Sequence, residues 1–405
     1  MQIGSLIKYH RTKQKMTQSE LAEGICSVPH LSKIENNSKE ANVETIRLVL
    51  DRLDIDLHDV EESEVKVEVL LNQLLQNMLY LETEKAASTF LELQVYKEMV
   101  PFTKHIYLYE IYKLRYYLFT KDLDSADEQI KWLNAQRQNF SQHESYLLSY
   151  FTGIFLILRG KYEEADEKIS AILQEYYETN TFEGEIYYHL ALVKGYMYQS
   201  GHAINYGKKA LNFFKDHFNF KRILHVQMSL AINYSQSKIY DEALDNYQHL
   251  VRNTEMLKET ALLPHIYHNI GDLRHRMGDY EQALHYFKKS AVIFQERTEN
   301  YLLCLYNLAL TEFKLEKWDD SKISFTLLNK EAKEMKVSPY QLYSSYYFFL
   351  LNDKKQKAMT FLEEKILPSI EKADEQKEFY RYFSKILAEY YKIEGKYEKA
   401  VKYIL

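Results

Sequence analysis

One short pattern recurs through most of this 405-residue chain and limits what it can fold into. An aromatic residue is followed three positions later by a small one, often as Gly-x-aromatic-x-x-Ala. The clearest copy runs Gly278, Tyr280, Ala283 and Phe287. Others are Gly160–Tyr162–Ala165, Tyr240–Ala243–Tyr247 and Gly395–Tyr397–Ala400. Weaker copies lie at Ala126 and at Trp318–Ser321, and the small position extends to Ala86, Ala203 and Ala358. The nine small positions, 86, 126, 165, 203, 243, 283, 321, 358 and 400, are 37 to 42 residues apart. A fixed period of this size marks one supersecondary unit stacked many times, because no single unit can bury its own apolar face.

Composition says what the unit is. With 11 Gly and 5 Pro, the chain lacks the turn residues that sandwiches, barrels and doubly wound sheets need every ten or so positions. An all-β fold is excluded and an α/β fold is disfavoured, whereas 36 Tyr and 20 Phe suit helices with an aromatic core. The unit therefore reads as two antiparallel helices. The small residue lets the second helix approach the first, the preceding aromatic fills the turn, and Tyr or Phe four positions later packs into the next pair. At the best copy Tyr267, Asn269 and Gly271 open the first helix and Gly278 ends it. This pattern resembles the tetratricopeptide repeat, whose usual period is 34. The longer spacing here implies longer helices or loops, and the repeat-end proline is mostly missing.

The first sixty residues differ in charge and pattern. Residues 1–33 carry a net +3, residues 34–60 a net −4, and the acids Asp54, Asp56, Asp59, Glu61, Glu62 and Glu64 suggest a boundary near residue 62. The expected division is thus 1–62 and 63–405, the array starting near Val67. Residues 3–57 read as a five-helix domain. Ile3, Leu6 and Ile7 fit a first helix, and Thr17 with Glu20 forms a capping box for the second. Ser27 caps a third over Val28–Glu35, and Ile46, Leu50, Leu53, Ile55 and Leu57 close the core. Leu21–Ala22 and Leu31-Ser-Lys-Ile-Glu-Asn36 resemble the lambda-repressor-like (Xre-type) helix-turn-helix, with a turn one residue shorter than most. That motif lays its second helix in the major groove. The resemblance makes Ser27, Pro29, His30 and Lys33 the base-facing candidates, Lys33 as a donor to guanine, and Gln18 a phosphate contact.

In the repeats, Asn269 and Asn307 share a register position on consecutive first helices, and His189 occupies it two repeats before Asn269. Asn233 and Asp272 lie within a turn of it. Asn offers a donor and an acceptor together, so two in register can clamp the backbone of an extended peptide. Arg115 and Arg276, with Lys314, are expected to face the same groove and to suit a peptide carboxylate. The tyrosine-rich stretches at 107–117 and 343–349 read as core. His265, His268 and His275 lie close together without a metal-ligand pattern, so no metal and no cofactor is expected. No phosphate loop or nucleophile elbow is present, and no enzyme is indicated.

No run approaches 18 apolar residues, so no membrane span is expected. Met1–Gln18 has no apolar leader core, and two cysteines, Cys26 and Cys304, suit a reducing compartment, so the cytoplasm is expected. The whole arrangement resembles the quorum-sensing regulators of Gram-positive bacteria grouped as Rap, NprR, PlcR, PrgX and Rgg, the NprR-like members above all. The fold implied is all-α: a helix-turn-helix domain followed by a right-handed superhelix of about nine hairpins. The resemblance implies a transcription regulator of protease genes and sporulation that binds operator DNA and a short signalling peptide. It also implies a homodimer or tetramer whose oligomeric state and DNA binding change with the peptide. Rap-like members act on a phosphorelay response regulator instead, as phosphatases or sequestering inhibitors. Residues 65–140 would serve for that, with Gln73 or Gln76 orienting a water.

Overall fold

The computed structural model describes residues 3–38, 42–175, 182–371 and 376–404, and every regular element among them is helical. Four helices come first: α1 (Ile3–Lys13), α2 (Gln18–Ala22), α3 (Val28–Glu35) and α4 (Val43–Arg52). Nine hairpins follow among the described residues. They pair α5 (Leu57–Leu79) with α6 (Thr83–Val95), α7 (Ile106–Phe119) with α8 (Leu123–Ala135), and α9 (Gln142–Leu158) with α10 (Tyr162–Glu175). Next come α11 (Glu183–Tyr196) with α12 (Ser200–Asp216), α13 (Phe220–Gln236) with α14 (Tyr240–Met256), and α15 (Leu263–Arg276) with α16 (Tyr280–Ile293). Then α17 (Glu299–Lys314) meets α18 (Trp318–Glu334), and α19 (Ser338–Leu351) meets α20 (Lys355–Phe361). The latter runs through a π-helical turn, Leu362–Ile366, into α21 (Leu367–Ile370). The last pair is α22 (Lys377–Ile393) and α23 (Tyr397–Lys402). The all-helical repeat fold read from the period is the fold observed.

The reason for the period is visible at two positions per hairpin. All nine small residues, Ala86 through Ala400, are buried, eight of them at 0–1% exposure. In the best copy the approach is so close that a Cβ on Gly271 would lie 2.7 Å from the ring of Phe287. Five residues before each small position the backbone turns left-handed. The residues there are Leu81, Lys121, Gly160, Tyr198, Lys238, Gly278, Glu316, Asp353 and Gly395, with φ between +56° and +81°. This is the helix-ending geometry in which the next amide reaches back to the last carbonyls, as Asp279 N does to Arg274 O at 2.9 Å.

Two expectations need correction. Four helices, not five, lie between residues 3 and 56, and the fifth starts at Leu57 and is already the first helix of the array. It begins ten residues before the expected Val67 and runs unbroken through residue 62. Of the acids that suggested a boundary, Glu61, Glu62 and Glu64 lie inside this helix, which starts behind Asp56, whose carboxylate accepts from His58 N at 2.8 Å. The Leu57 side chain lies outside the described residues. The chain forms two compact units, Met1–His189 and Leu190–Leu405. No helix among the described residues is long and apolar enough to cross a membrane.

Candidate functional site

The N-terminal module is held by a small polar frame. Thr17 accepts from Glu20 N at 3.2 Å while the Glu20 carboxylate takes Thr17 N at 2.6 Å, the capping box expected. Ser27 accepts from His30 N and starts α3, with Gly24 at φ +70° turning the chain between the helices. A Cβ on Gly4 would come within 1.8 Å of Ile34 O, so α1 and α3 cross in near backbone contact. Buried Glu35 takes two bonds from Arg11, 2.6 and 2.9 Å, and one from Gln18 at 2.7 Å. Burial opposes its ionisation, but these bonds and the Arg11 and Lys8 charges hold its pKa below the ordinary value. Arg52 donates to the carbonyls of Leu21 (3.1 Å) and Glu23, closing the end of α2.

This frame leaves one face of α3 outward. Ser27, Pro29 and Lys33 are exposed, His30 is half-buried, and Leu31 and Ile34 are in the core. Gln18, expected at a phosphate, is half-buried with its amide on Glu35. The module does not end at α4. Phe102 and Met99, from the segment between α6 and α7, join its core, with the Phe102 ring 5.2 Å from Tyr9. Lys13 pairs with Glu98 at 2.9 Å beside them. Sequence reasoning missed Arg11, Glu35, Arg52 and Phe102, since each acts on a residue remote in sequence.

The residues expected in the groove divide sharply. Arg115 is buried, not groove-facing: its Nη2 lies 3.9 Å from buried Glu185, and its guanidinium lies over Phe151 at 5.8 Å. His189 is buried as well, Nδ1 2.8 Å from both the Tyr150 hydroxyl and Glu185 O. Asn233 is buried between helices, donating to Ser229 O at 2.8 Å and packing on Gly195, where a Cβ would lie 3.1 Å from its amide.

Asn269, Asp272, Arg276 and Asn307 fare differently. Asn269 and Asn307 are half-buried, and each reaches back to the preceding first helix. Asn269 Nδ2 lies 3.2 Å from Met228 Sδ, and Asn307 Nδ2 lies 3.0 Å from His268 Nε2. Arg276 pairs with Asp272 at 2.7 Å on the same helix, both side chains over a third exposed. Lys314 is exposed. Around them His265, His268 and His275 all have pKa values lowered, first of all by burial, so this surface presents neutral imidazoles near pH 7. Among the described residues no group of three His, Cys, Asp or Glu could hold a metal ion. The tyrosines expected as core are largely that: Tyr109, Tyr112, Tyr343, Tyr346 and Tyr347 are buried. Gln73 and Gln76 are exposed on α5.

Comparison with known proteins agrees with both parts. A helix-turn-helix family model matches residues 7–60 and a tetratricopeptide-repeat model residues 262–326. The transcriptional activator NprA of Geobacillus stearothermophilus is 25% identical over 397 residues, covering 95% of this chain and 97% of that protein. The regulatory protein RapD of Bacillus subtilis is 25% identical over 228 residues, 53% of this chain and 62% of its own. Among solved structures, the apo form of the quorum sensor NprR from B. thuringiensis superposes with a TM-score of 0.73 at 22% identity, covering 84% of this chain and 97% of that one. NprR in complex with its cognate peptide NprX gives 0.64 at 21% identity, over 84% and 96%. A helix-turn-helix module leading into nine tetratricopeptide-like hairpins is thus matched nearly end to end by NprA, and the chain is similar to the NprR-like and Rap regulators.

Proposed function

We propose that the chain is a peptide-responsive transcription regulator of the cytoplasm. The helix-turn-helix module ahead of α5 reads operator DNA, with Lys33 and the start of α3, Ser27, Pro29 and His30, at base edges. The repeats from α5 onward hold a short extended peptide against Asn269, Asn307 and the Asp272–Arg276 pair. Peptide binding shifts the population of states of a homodimer or tetramer and so re-spaces the two reading heads. The observation that carries the reading is α3: capped, clamped from behind through Glu35, and bare on the side away from the core. NprA is named an activator and one NprR structure holds a cognate peptide, which supports the same assignment. The test is selection of duplexes from a random library by the full-length protein. A defined half-site should emerge, and Lys33→Ala should weaken it by roughly tenfold or more while random duplexes lose far less. Equal losses on both, or no enrichment, would refute base reading.

A second activity, on a phosphorelay response regulator, is favoured by the first hairpin. Val65 and Val69 on α5, and Leu91 and Val95 on α6, are exposed at 43–77%, near the exposed Gln73. Isolated exposed aliphatics are ordinary, but paired ones a turn apart on adjoining helices suit a protein partner. RapD and a Bacillus subtilis response regulator aspartate phosphatase, 22% identical over 221 residues, match about half of the chain. Phosphate release from a phosphorylated response regulator, compared with Gln73→Ala and Gln76→Ala, decides between catalysis, sequestration and neither.

A further inference from the structure

The hairpin of α9 and α10 borders a cavity of about 280 Å³ that none of the residues assigned above to DNA or peptide lines. Gln142, Ser145 and Ser149 meet it from one side of α9, three and four residues apart. Lys168 meets it from α10, and Arg137 from the short turn Arg137–Asn139 that precedes α9. Tyr146 and Ile172, both buried, form its apolar wall.

The charge in this cavity is one-sided. Arg137 and Lys168 line it, and among the described residues no carboxylate does. Among those residues the side chains of Arg137 and Lys168 make no ion pair or hydrogen bond, and neither do those of Gln142, Ser145 and Ser149. Cations close by in the sequence are paired: Lys131 with Asp127 at 2.6 Å, Arg159 with Asp124 at 3.4 Å and Lys161 with Glu164 at 3.0 Å. Glu144, beside Ser145, is committed to the α9 cap, where it accepts from Ser141 N at 2.7 Å. Glu167, beside Lys168, is exposed and does not line the cavity. Lys168 and both serines are half-buried. Five donor side chains therefore border one space with nothing of the protein's own to accept from them.

We propose that this cavity binds a small phosphate monoester, its phosphate held by Arg137, Lys168 and the two serine hydroxyls and its organic body along Tyr146 and Ile172. The ligand class follows from the donor set. Near pH 7 a phosphate monoester carries about −1.5 to −2 charges and three strong acceptor oxygens, which suits two cations without a counter-charge. The Arg fork takes two oxygens at once, and Lys supplies a compact charge. The serine hydroxyls and the Gln142 amide serve the remaining lone pairs. The volume lies at the lower edge of ordinary ligand cavities, roughly 300–1,000 Å³, which suits a metabolite rather than a length of chain. A bare phosphate ion would leave the apolar wall uncovered.

The test titrates the full-length protein by calorimetry with AMP, glycerol phosphate and phenyl phosphate, beside inorganic phosphate and the unphosphorylated counterparts. At least one ester should bind saturably, and about tenfold or more tighter than inorganic phosphate or its own unphosphorylated form. Arg137→Gln and Lys168→Gln should each weaken that ester by about tenfold or more, and Ser149→Ala by roughly threefold. These side chains are exposed or half-buried, so the ligand-free melting temperature should stay unchanged. Unchanged affinity in both charge variants overturns the site, as does the lack of saturable binding by any ester at millimolar concentration. Equal affinity for inorganic phosphate and the esters leaves no role for the organic body and overturns the monoester. A last arm, a heptapeptide carrying one phosphoserine, separates a free metabolite from a modified protein. Binding of that peptide more tightly than every free ester assigns the cavity to a phosphorylated partner and overturns the proposal.

Discussion

The left-handed turn residues offer a direct test of why the repeats fold as they do. Six of the nine are not glycine, and of these Lys121 (φ +60°), Lys238 (+61°) and Glu316 (+57°) are exposed. For an L-residue this region costs about 1–2 kcal/mol, from Cβ against the neighbouring carbonyl. Glycine avoids that cost but loses roughly 0.5–1 kcal/mol more backbone freedom on folding. Replacing each by glycine should therefore stabilise by about 0.5–1 kcal/mol per site. The sites lie in different hairpins and should add. Lys238→Gly and Glu316→Gly fall in the same unit, Leu190–Leu405. Together they should raise its melting temperature by roughly 2–8 °C, at about 2–4 °C per kcal/mol for a unit of such size. Gly278→Ala is the reciprocal experiment. A Cβ there would meet nothing within 4 Å, so the substitution adds strain at φ +81° without a clash. It should destabilise by about 0.5–1 kcal/mol. Urea titrations followed at 222 nm, with amide exchange in the affected hairpin, report both. Destabilisation by the glycine variants, or a neutral Gly278→Ala, would show that something other than backbone strain sets these turns.

Gly271→Ala is a different experiment at the same motif: its Cβ would lie 2.7 Å from the Phe287 ring, so a loss of about 1–3 kcal/mol is expected, and a neutral result would mean the helices can part freely. Glu35→Gln should leave half-buried Arg11 against an uncharged partner and lower the unfolding temperature of the N-terminal module while the repeats hold. Because the folded Glu35 pKa lies below its unfolded value, its contribution is complete above the ordinary carboxylate range and lost as pH falls through the lowered value. Acid titration should therefore flatten the difference between Glu35→Gln and the unmodified chain. Phe102→Ala removes a ring 8% exposed and should cost about 3 kcal/mol, with faster amide exchange in α1 as well as in the 96–105 segment. Exchange confined to that segment would mean the module folds without it.

The period made the architecture readable because Ala86 through Ala400 answer a purely local demand, close approach of two helices joined by one turn. The turns themselves were legible only where they carry Gly160, Gly278 or Gly395. Leu81, Lys121, Tyr198, Lys238, Glu316 and Asp353 adopt the same backbone with no trace in the letters, since the geometry is imposed by the packed pair around it. The capping box at Thr17 and the cap at Ser27 were readable for the same local reason. The module's edge was not. An acidic run is ambiguous between a solvated linker and the first turns of a helix, and Asp56 settles it by capping.

Register alone could not sort the groove residues, because it places a residue on a helix without saying which polar atoms meet it from the next repeat. Those partners lie about one period away: Tyr150 to His189 is 39 residues, Asn269 to Met228 is 41, Asn307 to His268 is 39, and Tyr347 to Tyr382 is 35. Where such a contact is fully buried, as at His189, opening it to a ligand would strand a polar group, at a cost of about 1–3 kcal/mol. Where it is half-exposed, a weak amide–thioether contact at Asn269 or an amide–imidazole hydrogen bond at Asn307, a peptide backbone can replace it with little loss. On the proposed peptide-binding reading, the adaptable part of the site would therefore lie on α15 and α17 rather than on α7 or α11. It follows that Asn269→Ala and Asn307→Ala should leave stability within about 0.5 kcal/mol while reducing peptide retention, whereas His189→Ala should destabilise the first unit. A marked loss of stability from either Asn variant would make these amides part of the scaffold, and the groove would have to be sought elsewhere.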